Sequence, residues 1–157
     1  MVMEQNLWIE IKPWLHLVGP DSHAPLRALQ PLPGRTFAAW MNGSEMGNLD
    51  GVFQCFWDDF RLPDYFGWNL PALNDCLRDL NWLPADQYFL FIEDAHKILA
   101  EDQEGLCEFL NILDRAGSKW SYAERSVDGA ARARFQVVFS CSEEGIKYMQ
   151  GVAACLW

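Results

Sequence analysis

The 157 residues carry 22 acidic and 12 basic side chains, a formal net charge of −10, and half of them are hydrophobic. That is enough apolar material for one packed domain, and the wrong sign for direct binding to nucleic acid or to an anionic membrane surface. The acidity is local: residues 41–110 hold 14 acids and three bases, net −11, against net zero for residues 1–40 and net +1 for residues 111–157.

In chain order, residues 7–18 (LWIEIKPWLHLV) alternate apolar and polar on both sides of Pro13. They read as two short strands or as one broken edge strand. Residues 19–34 hold four prolines and two glycines and read as a loop or linker. Residues 36–41 (TFAAWM) read as a buried strand that stops at the turn signal Asn42-Gly43. Residues 48–60 read as a helix. Asn48 or Asp50 can cap it, Leu49, Val52, Phe53, Phe56 and Phe60 make its apolar stripe, and Leu62-Pro63 ends it.

A second helix is predicted from about Leu70 to Leu80. Residues 88–92 (YFLFI) form a continuous apolar run, as a buried parallel strand does. Residues 103–116 read as a helix with Leu106, Phe109, Leu110 and Leu113 on one face, and Gly117 as its stop. Residues 118–134 read as a long loop. Residues 135–140 (FQVVFS) read as the third buried strand, with a short helix from Glu143. Connections of this length favour right-handed crossovers and a parallel sheet. The expectation is an α/β domain of three parallel strands packed with helices, to which residues 1–35 add a β extension.

Other classes find little support. The five cysteines (Cys55, Cys76, Cys107, Cys141, Cys155) include no CxxC pair, so they read as reduced thiols rather than as a zinc site. The first residues, MVMEQNLW, lack the pattern of a secretory signal, and YFLFI is far too short to span a bilayer. These features give a cytoplasmic expectation. No GxGxxG, P-loop or GxSxG occurs. Glu93, Asp94 and His96 follow strand 88–92, where open α/β sheets place ligands. They are the candidate residues for a small enzyme, although no second histidine stands at ligand spacing.

The second helix poses the functional question. At 100° per residue, Leu70, Leu73, Cys76, Leu77 and Leu80 share one face. Pro71, Asp75, Arg78 and Trp82 fall opposite, flanked by Asn74 and Asp79. The Asp75 carboxylate therefore points away from the core, to meet solvent or a partner. Before the helix, Tyr65, Phe66 and Trp68 crowd a loop that is expected to reverse at Gly67, and Asn69 caps the helix. Aromatic rings beside an exposed carboxylate suit a protein-binding hot spot, and equally suit lids on the core.

The run Leu62-Pro63-Asp64-Tyr65-Phe66-Gly67, followed by Asn69-Leu70, Ala72-Leu73 and Asp75-Cys76-Leu77, resembles the signature of the barstar family, intracellular inhibitors of the secreted ribonuclease barnase. The likeness spans about residues 36–117 and 135–141. The resemblance implies an inhibitor that plugs a basic, phosphate-holding active site with a helix whose carboxylates stand in for phosphate. It implies that Asp75 is the central inhibitory aspartate, that Tyr65 and Asn69 are the binding-loop tyrosine and asparagine, and that Leu70 is a neighbouring contact.

Departures from that pattern bear on specificity. Pro71 stands where the family has a second acid, Asn74 where it has a tryptophan, and Trp68 where it has an acid in the loop. Arg78 and Asp79 replace a small pair. A partner other than barnase is implied. The expected interface is Tyr65, Gly67, Trp68, Asn69, Leu70, Pro71, Asn74, Asp75, Arg78 and Asp79. It requires no cofactor and no metal, and it faces a basic protein, a ribonuclease or related toxin. The expected domain plan is an extension over residues 1–35 and a barstar-like domain over residues 36–157 with an insertion at 118–134. The rival reading keeps the fold but makes the chain a general interaction module that binds through residues 1–35 and 118–134.

Overall fold

A computed structural model describes residues 8–19, 34–122 and 134–156. The first two elements are β1 (Trp8–Lys12) and β2 (Leu15–Val18), an antiparallel pair turning at Pro13-Trp14. Then come β3 (Thr36–Asn42), α1 (Leu49–Asp59), α2 (Leu70–Asp79), β4 (Gln87–Glu93), α3 (Gln103–Tyr122), β5 (Phe135–Ser140) and α4 (Glu143–Val152). From β3 to β5 this is the order expected from periodicity.

The sheet differs from the expected three parallel strands. It has five, in the order β1-β2-β5-β4-β3, and it is mixed. Strands β3, β4, β5 and β2 run parallel, and only β1 is antiparallel to its neighbour. The reason lies in β2. All four of its residues are buried, and Leu15 to Val18 pair in register with Val137 to Ser140. A strand buried along its whole length belongs inside a sheet rather than at its rim.

Alternate residues enter the core: Leu15 and Leu17, Ala39 and Met41, Tyr88, Leu90 and Ile92, Phe135, Val137 and Phe139. They meet a group of rings supplied by the helices. Phe56 stacks on Phe60 at 5.3 Å and meets Phe109 edge-on at 5.8 Å, and Phe60 lies 6.3 Å from Phe135. Across the other face, Trp8 Nε1 donates to His16 Nδ1 at 3.1 Å, and His16 Nε2 lies 2.7 Å from Gln136 Oε1. The indole can only donate, so Nδ1 accepts and Nε2 carries the proton. Burial pushes the pKa of this imidazole down, opposed by Gln136, Glu10 and the Pro13 backbone.

Helix α3 overruns its expected stop. It continues through Gly117 to Tyr122, so residues 118–122 are helical rather than loop. The remainder of the expected loop, 123–133, lies outside the described residues, as do most of residues 19–34. Gly117 is there for packing, not for capping. A Cβ at this position would stand 2.2 Å from Cδ1 of Trp14. That indole donates from Nε1 to Asp114 Oδ1 at 2.7 Å, one turn earlier on α3. The N-terminal hairpin and α3 are thereby fastened together at a site where only hydrogen fits.

Candidate functional site

Helix α2 is held at both ends. At its start, Asn69 Oδ1 accepts from the Ala72 amide at 2.8 Å, and its Nδ2 donates to the Gly67 carbonyl at 3.1 Å. This one side chain both caps the helix and ties down the loop before it. At its end, Leu80 takes a left-handed conformation (φ 52°) and its amide donates to the Cys76 carbonyl. Two carbonyls left over in the last turn find donors on α3: Trp120 Nε1 reaches Leu77 O at 3.0 Å, and Lys119 Nζ reaches Arg78 O. The overrun of α3 past Gly117 supplies both donors.

The helix faces separate as the sequence implies. Leu70, Leu73, Cys76 and Leu77 are buried, while Pro71, Asp75, Arg78 and Asp79 are exposed. Asp75 takes part in no ion pair among the described residues. Trp82 leaves the outward stripe, because α2 has already ended at Asp79. Its Nε1 donates to Phe60 O at 3.0 Å, and its ring packs against the core.

The loop aromatics divide between burial and exposure. Phe66 is buried and lies edge-on to Phe53. Tyr65 and Trp68 are 68% and 42% exposed. Trp68 lies against Trp57 and Phe66, with ring centroids 5.2 and 5.5 Å away. The loop reverses at Trp68 itself (φ 53°) rather than at Gly67. A Cβ at Gly67 would sit 3.1 Å from Asn69 Nδ2, which would have to give by a few tenths of an ångström. Desolvation first, and then the neighbouring Asp79 and Cys76, raise the Tyr65 phenol above its ordinary pKa.

Beside this face runs a feature that sequence reasoning missed, a groove of about 390 Å³ between α2 and α3. It is lined by Leu70, Pro71, Asn74, Glu108, Asn111, Ile112 and Arg115. Asn74, half-buried, has an Oδ1 that is shielded from solvent and lacks a hydrogen-bond partner. Its packing partners come from a helix distant in sequence, so no local pattern announces the groove. Leu70 serves both the core and the groove wall.

The Glu93, Asp94 and His96 group sits elsewhere. Asp94 Oδ2 lies 3.9 Å from Lys97 Nζ. His96 lines a second cavity of about 310 Å³ with Ser142, Gly145 and Tyr148. No group of three or more His, Cys, Asp or Glu among the described residues is placed to hold a metal ion. No described helix is long and apolar enough to cross a membrane.

A braced helix with an outward carboxylate, flanked by exposed rings and a groove, thus stands on one side of a small α/β domain. The family model described as Barstar (barnase inhibitor) matches residues 37–140, and the chain belongs to that family. Among solved structures the chain is similar to the ORC2 protein of Aeropyrum pernix in its ADPNP-ADP complexes, with a TM-score of 0.52 and 16% identity over 77% of this chain. The match takes in 30% of that protein's chain, and at this identity it is a likeness of fold alone. Comparison with curated proteins found no match.

Proposed function

We propose that this protein is an inhibitor of the immunity type, which binds a basic ribonuclease or related toxin and blocks its active site with α2. The observation that carries the reading is the Asp75 carboxylate: exposed, free of ion pairs among the described residues, and mounted on a helix braced at both ends. Membership of a family described by barnase inhibition supports it. A negative tip of this kind suits a pocket built to hold phosphate. Tyr65 and Trp68 offer apolar contact around it. Asn69 acts by fixing the loop, since its amide is already committed to Ala72 and Gly67.

Specificity follows from Pro71, Asn74, Arg78 and Asp79 together with the groove. Arg78 and Arg115 repel a uniformly basic partner, so the partner presents an acid or a neutral surface to that side. The net −11 of residues 41–110 speeds capture of a basic enzyme by roughly 10- to 1000-fold at low salt. The activity is binding, with no cofactor and no chemistry on the inhibitor's side.

The test is titration of the purified protein against nucleases and toxins from the same cell. Asp75→Ala is expected to weaken inhibition by at least about 2 kcal/mol, roughly thirty-fold in Kd, while thermal stability is unchanged. Undiminished binding by that variant would refute the assignment of α2. Binding of a basic protein without loss of its nuclease activity would leave an interaction module in place of an inhibitor.

A further inference from the structure

The two rims of the sheet are built differently. At one rim, β1 carries Glu10 and Lys12, shifts register between them, and runs into Pro13. Charges, a bulge and a proline are the usual guards of an exposed strand edge. At the other rim, β3 (TFAAWMN) holds no charged residue and no proline, and it pairs with β4 through all of its residues without a shift. Among the described residues β4 is its only strand partner, so alternate backbone N–H and C=O groups along its outer side have no strand to bond. On the face away from the core, Thr36, Ala38 and Trp40 are exposed. Trp40 is 52% exposed and lies against Phe91 of β4, with ring centroids 4.5 Å apart.

We propose that β3 is a self-association edge, at which a second copy of this chain adds its own β3 in antiparallel sense, giving a twofold dimer with one continuous sheet. The ends of the strand set that sense. Arg35 precedes β3 and Glu45 follows it; both are exposed, and neither is in an ion pair among the described residues. Antiparallel pairing brings Arg35 of each copy beside the Gly43–Glu45 turn of the other, with opposite charges together. Parallel pairing would bring like beside like. Between these ends the edge is neutral, so two chains of net charge −10 meet there with no charge facing its own kind.

Full overlap of the two strands centres the pair on Ala39. Trp40 then stands opposite Ala38 of the second copy and diagonal to its Trp40. The small residue leaves room for the indole, and the two indoles extend the Trp40–Phe91 contacts into one row of rings across the junction. The backbones supply the hydrogen bonds, as in other cases of strand addition to a sheet edge. A single strand pair is a small interface, so the dimer is weak and depends on concentration.

The experiment is sedimentation velocity of the full chain over a concentration series, with amide hydrogen exchange read at its low and high ends. A reversible dimer is expected, with slower exchange at alternate amides of residues 36–42 in the dimer. Trp40→Lys places cations in the row of rings and should weaken the dimer at least about tenfold. Arg35→Glu and Glu45→Arg should each weaken it, and the double variant should recover it. The proposal is overturned if the chain stays monomeric at every concentration, if a dimer forms without protecting β3, or if the double variant dimerises no more tightly than the single ones. Capture of a strand from an unrelated protein by β3, in a chain that does not pair with itself, would overturn it too. None of these readouts needs the partner of α2, so they stand apart from the inhibitor reading.

Discussion

Replacing Gly117 by alanine tests how α3 is seated, and through it how α2 is held. At an ordinary exposed site inside a helix the change stabilises by about 1 kcal/mol, because glycine loses more backbone freedom on folding. Here the new methyl carbon would lie 2.2 Å from Trp14 Cδ1, 2.3 Å from Cγ and 2.7 Å from Cβ, far inside the ~3.5–4.0 Å at which carbon atoms rest. The indole has little room to retreat, being 7% exposed and bonded to Asp114. Either α3 or the hairpin must shift. Overpacking of this kind costs about 1–3 kcal/mol; less the propensity gain, the net loss is up to about 2 kcal/mol. For a chain of 157 residues, each kcal/mol moves Tm by about 2–4 °C, so a fall of several degrees is expected. The check is calorimetry of the single variants and of the double variant with Trp14→Ala. Once the indole is removed, Gly117→Ala should raise Tm. A rise in the wild-type background, or an identical cost in both backgrounds, would refute the contact.

Three further predictions concern the helix ends and the buried imidazole. Asn69→Ala should cost about 1 kcal/mol by uncapping α2, read as a lower urea midpoint. An unchanged midpoint would show that the cap does not hold the start of α2. Trp120→Phe keeps a ring beside Tyr88 but leaves the Leu77 carbonyl without its donor, a loss of about 1–2 kcal/mol. Hydrogen exchange should quicken at the C-terminal amides of α2 before it does elsewhere. His16, with its folded pKa below 6.5, binds its proton more weakly in the folded state than in the unfolded one. Its contribution is therefore complete above pH 6.5 and is lost as pH falls from there through the folded value. His16→Gln should flatten the urea midpoint between about pH 5 and 7, and an unaltered slope would contradict the neutral, Nε2-protonated assignment.

The parts of the fold that sequence discloses are those with local causes. Helices α1 and α2 carry unmixed periodicities and familiar caps, Asn48 and Asn69, and both fall within a residue of their expected bounds. Gly117 misleads because a glycine after a helical stripe usually ends the helix, whereas here the requirement comes from Trp14, 103 positions earlier in the chain. Trp82 continues the outward stripe on a helical wheel but lies beyond the left-handed turn at Leu80, and a wheel does not register that break. The alternation in residues 7–18 shows strands, yet nothing in it says that β2 will lie beside β5. At the site, the outward set Pro71, Asp75, Arg78 and Asp79 was legible from spacing alone. The groove was not, because half of its wall belongs to α3.

Helix α2 keeps its two tasks on separate atoms. Inward leucines, one asparagine cap and backbone carbonyls keep it in place, and the outward side chains contribute little to that. Surface changes away from such features usually alter stability by less than about 0.5 kcal/mol. A library randomised at Pro71, Asp75, Arg78 and Asp79 should therefore consist mostly of folded variants. A lineage under pressure from a changing adversary could redraw this surface one residue at a time without first acquiring a compensating mutation.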